Sequence, residues 1–197
     1  MINKIGGGFV EMLGRSCIET TRHQAQGTFL FLGDNLIADF DWQKRMPFFQ
    51  VHSYGVPREE VQGLLKRLQQ IEERVATPDI ILIMTGINNV IAEDYTFVDQ
   101  IRRIVIRLSN TYPDAEIIVN SLPNIKISFL VDRAIHHLNA DINKMTRQTG
   151  CCYLANFAGL SEQDADIFEK DGIMLTPKTY DRWARSILEY VAFLVEG

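Results

Sequence analysis

Apolar residues fall into two alternating patterns along the chain: short continuous runs, and longer segments in which they recur every three or four positions. The short runs end at glycine, proline or polar residues and are typical of strands buried in a parallel sheet. The longer segments carry charged residues between the apolar ones and predict amphipathic helices. Strands that alternate with helices, without repeats or low-complexity linkers, predict a single α/β domain with helices on both faces of its sheet.

The most strand-like run covers residues 79–85 and should lie in the centre of the sheet. A short amphipathic helix is expected within residues 1–27, as an extension that precedes the main domain of residues 28–197. The remaining strands are predicted at 28–32, 48–54, 116–122 and 151–155, and the helices at 58–75, 97–112, 130–149 and 177–195.

Composition adds a few exclusions. The chain has 197 residues, of which 46% are hydrophobic, enough to build the core of one domain without metal or disulfide support. The formal net charge is −5, and no run of Lys or Arg is long enough to predict nucleic-acid binding. Arg102, Arg103 and Arg107 do cluster, but their spacing is that of the exposed face of a helix.

The cysteines bear on the cellular compartment. Cys17, Cys151 and Cys152 are odd in number and two are adjacent, which favours reduced thiols over a disulfide framework. The first residues carry no apolar segment typical of a signal peptide, and no window approaches the ~18 consecutive apolar residues of a membrane span. We therefore expect a cytoplasmic protein without a membrane span.

Four polar clusters follow predicted strands or precede the last helix, and they are where chemistry is expected. In open α/β sheets, ligands bind beyond the carboxyl ends of the strands. Each cluster taken singly predicts only a turn, but their order and their shared edge of the sheet are more informative. The clusters are Gly33-Asp34-Asn35, Gly55, Gly86-Ile87-Asn88-Asn89 and Asp171-Gly172-Ile173-Met174.

Together these clusters resemble the motifs of the SGNH, or GDSL-type, ester hydrolases. The resemblance runs from about residue 28 to residue 194 and implies a flavodoxin-like, three-layer α/β/α fold with a five-stranded parallel sheet. In that family the first motif is Gly-Asp-Ser, whose serine is the nucleophile. A glycine and an asparagine from the next two motifs bind the oxyanion, and a final Asp-x-x-His completes the triad. The corresponding positions here are Asn35, Gly55, Asn88, Asp171 and Met174.

This sequence departs from the family at the reactive positions. Asn35 stands where the nucleophilic serine is expected, Met174 where the histidine base is expected, and Asn89 where an aspartate is usual. A carboxamide is a poor nucleophile because its nitrogen lone pair is delocalised, and a thioether cannot transfer protons. Ordinary catalysis of this family is therefore expected to be absent, while Asn88 and nearby backbone amides could still bind an oxyanion.

Substitutes for the missing groups are few. His52, near the end of the second predicted strand, is the best replacement base, although a histidine packed beside its strand is the more common case. Asp34 could hold a water but is more plausibly a turn residue, and Asp171 without a histidine is expected to cap or brace its loop. The sequence contains no phosphate-binding glycine motif and no zinc-type spacing, so no cofactor or metal is expected.

Three hypotheses follow from these residues. The first is an inactive hydrolase-fold protein that binds a small ester, acyl or sugar-like ligand, or a partner. The second is a working ester hydrolase with an unusual nucleophile or an assisted water at the same site. The third is a structural or assembly subunit whose cleft is filled, with Ile173 and Met174 apolar enough to fill it. The sequence does not indicate the ligand or the oligomeric state.

Overall fold

The computed structural model describes residues 27–127, 133–157 and 166–196. Its five strands are β1 (Thr28–Gly33), β2 (Gln50–Gly55), β3 (Ile80–Met84), β4 (Glu116–Asn120) and β5 (Cys152–Leu154). They form one parallel sheet in the order β2-β1-β3-β4-β5, the doubly wound order of flavodoxin-like proteins. This confirms the predicted α/β fold with a five-stranded parallel sheet.

Helices cover both faces of this sheet. The chain runs from β1 to β2 in one direction and from β2 back to β3, β4 and β5 in the other, and right-handed crossovers in opposite directions place their helices on opposite faces. The helices are α1 (Asn35–Ala38), α2 (Trp42–Arg45), α3 (Val61–Glu72), α4 (Ile87–Ile91), α5 (Val98–Thr111), α6 (Ala134–Thr149) and α7 (Pro177–Glu196). The amphipathic helices α3, α5 and α6 pack side by side, and α2 packs against α7.

The core lies on both faces of the central strands, whose residues are almost completely buried in β1 and β3. An aromatic cluster joins β1 to α2 and α7: the Phe31 and Trp42 rings stack with centroids 4.3 Å apart, and Trp183 meets Trp42 edge to face. Large aromatic side chains of this kind supply much of the apolar area that a domain buries. The cluster therefore fixes α7, and the loop that precedes it, against the first strand.

Three short helices were not predicted, since α1, α2 and α4 have only four or five residues and are too short to show a helical period. Strand β2 begins at Gln50 and not at Phe48. The Phe49 amide donates to the Met46 carbonyl over 3.1 Å in a turn, and the Gln50 amide donates to the Gly27 carbonyl, where the ladder begins. Phe49 thus packs in the core without joining the sheet.

Helix α3 begins at Val61, three residues later than the prediction of a start near Arg58. Arg58 has a φ of 62°, a left-handed conformation that cannot continue into a right-handed helix. The first helical amide is capped from outside the segment, because Val61 N donates to Oδ1 of Asn89 over 2.9 Å. The helix start predicted from Pro57 was therefore wrong, and the residue that caps the helix, Asn89, lies in α4.

Some predictions fall outside the described residues. The helical extension within residues 1–27, Cys17 and the beginning of the segment predicted as a helix from residue 130 are among them. For the ranges that the structure describes, none of the helices combines the length and the apolar character that crossing a bilayer requires.

Candidate functional site

The carboxyl ends of β1, β2 and β3 bring three of the four polar clusters together. Gly33, the last residue of β1, pairs with Gly55 of β2 on one side and with Met84 of β3 on the other. A side chain on Gly55 would collide with the backbone of Ala38, so the close approach of α1 to β2 requires glycine here. The residues that follow these strands therefore face one small region.

Asn35 lies at the centre of that region, half-buried at the start of α1. Its Oδ1 accepts hydrogen bonds from Nδ2 of Asn88, over 3.0 Å, and from the backbone amide of Arg58, over 3.2 Å. Its Nδ2 lies 3.5 Å from Sδ of Met174, a weak acceptor. Asn88 and Met174, which were both singled out from the sequence, thus each contact the side chain of Asn35.

The side-chain nitrogen of Asn88 makes two hydrogen bonds within the protein. Besides Asn35, its Nδ2 donates to the backbone carbonyl of Glu59 over 3.0 Å. An amide nitrogen has only two hydrogens, so both are directed to internal acceptors. The side chain of Asn35 thus accepts one of these two hydrogen bonds, and the carbonyl of Glu59 accepts the other.

The backbone amide that reaches Asn35 belongs to Arg58, which lies three residues beyond Gly55. Sequence reasoning missed Arg58, since no side-chain motif marks a residue that acts through its backbone. A non-glycine residue with positive φ costs free energy and is found where the surrounding structure enforces it. Arg58 therefore combines backbone strain with a direct contact to Asn35.

An ion pair fixes the loop that carries Arg58 and was also missed. The guanidinium of Arg67, on α3, binds the carboxylate of Glu59 at 2.7 Å, and both side chains are more than four-fifths buried. Nη2 of Arg67 also donates to the carbonyl of Tyr54 over 2.8 Å, close to the end of β2. The planar guanidinium can satisfy several acceptors at once, so Arg67 braces the loop against the strand.

Asp34 lies in the protein interior, below the solvent-accessible surface. Its side chain is fully buried, and Oδ1 accepts a hydrogen bond from Leu36 N over 3.1 Å, which caps α1. Burial raises the pKa of Asp34 to about 7, because the interior disfavours the charged carboxylate. The carboxyl group is thus a buried acid, adjacent to Asn35 in sequence, and it has no direct access to the surface.

The two remaining polar residues of these loops have structural contacts. Asn89 caps α3 through its Oδ1, and its Nδ2 donates to Asp94 over 2.8 Å. Asp171 is exposed, and its Oδ1 accepts from the amides of Ile173 and Met174, each over 2.9 Å. Asp171 therefore braces the loop that presents Met174.

His52 is placed away from this region. It pairs with Leu30 on β1, three residues before the Gly33 and Gly55 pair that ends both strands. Three residues of extended chain span about 10 Å, too far for a hydrogen bond to Asn35 without movement of the backbone. Cys151 and Cys152 are also unsuited to replace the nucleophile, because burial raises the pKa of both thiols, that of Cys152 to about 11.

Metal binding finds no support within the described ranges, where no three His, Cys, Asp or Glu side chains group closely enough to hold an ion. The arrangement around Asn35 consists of carboxamides, backbone amides and one thioether. Such groups bind through hydrogen bonds and do not transfer protons.

Comparison with known proteins supports the fold. A putative acylhydrolase from Bacteroides fragilis matches with a TM-score of 0.72 and 14% identity, over 90% of this chain and 92% of the other. A GDSL-like lipase from Bacteroides thetaiotaomicron matches with a TM-score of 0.69 and 18% identity, over 97% and 98%. An acetyl xylan esterase from Geobacillus stearothermophilus gives 0.67 and 16%, over 88% and 98%. The fold is that of the GDSL-like lipases and acylhydrolases.

Sequence comparisons add nothing to this structural likeness. No protein-family model matches the chain, and no curated protein matches it either. At identities of 14% to 18%, the solved structures establish the architecture alone.

Proposed function

We propose that this chain is a non-catalytic protein built on the ester-hydrolase fold, which acts by binding a small ester, acyl or sugar-like ligand, or a protein partner. Asn35 and Met174 replace the serine and histidine expected at these positions. Neither side chain can supply the nucleophile or the base of an acyl transfer. A cytoplasmic location belongs to the same proposal, and it agrees with the free thiols of Cys151 and Cys152.

The observation that carries the proposal is the contact between Asn88 and Asn35. In an active site of this fold, the asparagine amide would be available to the developing oxyanion of the substrate. Here Nδ2 of Asn88 donates instead to Oδ1 of Asn35 and to the carbonyl of Glu59, each over 3.0 Å. Loss of the reactive pair is thus accompanied by internal use of the stabilising donor.

The same contact favours a second candidate, an assembly subunit whose cleft is filled by its own side chains. Asn35, Asn88 and Met174 satisfy one another and leave little for a ligand to bind between them. Under this reading the fold serves as a scaffold, and binding takes place on another surface. The two candidates agree that the chain does not hydrolyse esters.

The alternative of a working hydrolase needs another nucleophile or a base that activates water. His52 lies about 10 Å along the strand from its end, and the carboxyl group of Asp34 is fully buried. Either residue would have to move to reach a substrate beside Asn35. This alternative therefore requires a conformational change in addition to unusual chemistry.

An assay on short p-nitrophenyl esters tests the proposal. We expect no turnover above that of heat-denatured protein, with acetyl and butyryl esters alike. Clear turnover that is lost in Asp34→Ala or His52→Ala, but kept in the exposed-surface control Lys66→Gln, would establish the working hydrolase and overturn both non-catalytic candidates. Circular dichroism of each variant separates lost activity from lost folding.

A further inference from the structure

A cavity of about 330 Å³ lies apart from the Asn35 region. It opens between the loop that follows β4, the residue Phe157 that follows β5, and the segment that contains Ile167 and Phe168. Strand β4 is two strands from β1 in the sheet, a separation of about 10 Å. None of Asn35, Gly55, Asn88 or Met174 lines this cavity.

The buried walls of the cavity are apolar, and exposed Asn124 adds a polar side chain at the rim. Ile125, Phe157 and Ile167 are each no more than 5% exposed, and half-buried Phe168 adds a second aromatic ring. Pockets that bind small molecules have volumes of about 300 Å³ or more and combine such walls with a few polar groups. The volume and the lining of this cavity meet both conditions.

One charge marks the rim. Lys126 is exposed, and among the described residues it is the only ionisable one that lines the cavity. Within the described ranges its ammonium group has no ion pair. The carboxylates of Asp166 and Glu169, which flank Ile167 and Phe168 in sequence, are not part of the lining. The site therefore offers an apolar interior and a single cation at its edge.

Backbone contacts hold the rim in place. Lys126 N donates to the Gly172 carbonyl over 2.8 Å, and Gly172, with a φ of 72°, approaches the Lys126 carbonyl so closely that only glycine fits. A bridge between Phe168 and Leu175 fixes the opposite wall. A site whose walls are already fixed loses less conformational entropy when a ligand binds.

From these observations we infer that the cavity binds a small monocarboxylate with an aromatic or aliphatic body. The body packs against Phe157, Ile167 and Phe168, and the carboxylate accepts a hydrogen bond from the ammonium of Lys126. A neutral analogue keeps the apolar contacts and loses the charge-assisted hydrogen bond. A cationic analogue brings a like charge to Lys126.

Isothermal titration calorimetry with three probes tests this inference: phenylbutyrate, phenylbutanamide and phenylbutylamine. Phenylbutyrate should bind most tightly and phenylbutylamine least. Lys126→Gln should weaken phenylbutyrate binding by about two- to fivefold, since an ion pair at an exposed site is worth about 0.5 to 1 kcal/mol. The same variant should leave phenylbutanamide unchanged, and Lys66→Gln, another exposed lysine, should affect neither probe.

The location is tested by amide NMR shifts. Addition of phenylbutyrate should move the signals of Ile125, Lys126, Phe157 and Phe168 and leave those of Asn35 and Asn88 in place. The inference is overturned if no probe binds, if the amine binds as tightly as the carboxylate, or if Lys126→Gln has no effect. Shifts confined to Asn35 and Asn88 would also overturn it and would place binding at the other site. None of these results depends on ester turnover, which the p-nitrophenyl assay measures separately.

Discussion

Nδ2 of Asn88 lies 3.0 Å from Oδ1 of Asn35, and this contact joins the helix that follows β3 to the helix that follows β1. The carbonyl group of the Asn35 side chain thereby sits against two converging donors, the Asn88 amide and the Arg58 backbone amide. In an acyl-transfer enzyme, such donors would face the substrate. Here they face a residue of the protein itself.

The double variant Asn35→Ser with Met174→His should hydrolyse esters if the proposed function is right. The 3.5 Å contact between Asn35 and Met174 shows that side chains at these positions reach one another. In Asn35→Ser with Met174→His, the shorter serine also leaves the Asn88 and Arg58 amides available to an oxyanion. We expect the double variant to exceed either single variant by about a hundredfold or more in kcat/KM for p-nitrophenyl acetate, since nucleophile and base act as a unit.

Asn35→Ala with Met174→His is the matched control, because it has the base without the nucleophile. It should be as inactive as the natural chain. If the double variant folds but remains inert, these two positions are not those of a nucleophile and its base.

Asn88→Ala should lower the free energy of unfolding by about 1 to 3 kcal/mol, because it leaves the Glu59 carbonyl without its donor and removes one of the two donors to Asn35. Asn110→Ala, at an exposed position on α5, should change it by less than about 0.5 kcal/mol. Urea denaturation of the two variants gives the comparison. Equal effects would mean that the Asn88 contacts contribute nothing to stability.

Arg58→Gly should raise the free energy of unfolding by about 0.5 kcal/mol. Glycine adopts the φ of 62° without steric cost and keeps the amide that donates to Asn35, although it also makes the unfolded chain more flexible. Arg103→Gly, within α5, should lower it by about 1 kcal/mol. A loss of stability in both variants would show that the Arg58 side chain contributes more than its backbone strain costs.

Asp34 should make the protein less stable as the pH rises. Its pKa is about 7 in the folded chain and about 3.8 when unperturbed, so the folded state binds the extra proton between these values. Below pH 3.8 Asp34 is protonated in both the folded and the unfolded chain, so this group causes no pH dependence there. Between pH 3.8 and about pH 7 the free energy of unfolding falls as the pH rises. Between pH 5 and pH 8 the loss amounts to about 3 kcal/mol.

Asp34→Asn isolates this effect, because the amide keeps an oxygen for Leu36 N and cannot ionise. The difference in unfolding free energy between the natural chain and Asp34→Asn should change by about 3 kcal/mol from pH 5 to pH 8, in favour of the variant. Urea denaturation at both pH values measures it, and groups common to both proteins cancel. A difference that is constant with pH would mean that Asp34 titrates normally.

The fold could be predicted from local patterns because each buried strand is a continuous apolar run and each long helix has a clear period. The runs at β1 and β3, and the spacing along α5, left little ambiguity. Boundaries were less predictable where a partner from another loop decides them. Helix α3 begins at Val61 because Asn89 caps it there. Phe49 does not join strand β2 because its amide donates to the Met46 carbonyl in a turn.

Sequence alone determined the fold class, and it placed the polar loops, with Asn35 and Asn88, at the carboxyl ends of their strands. These depend on residue identity and on short-range order, which a linear pattern contains. Only the tertiary structure decided that Asn35 accepts hydrogen bonds from Asn88 and Arg58, that Asp34 is fully buried, and that His52 lies about three residues before the end of its strand. Hydrogen-bond partners and burial depend on how distant segments pack, and no spacing along the chain encodes that geometry.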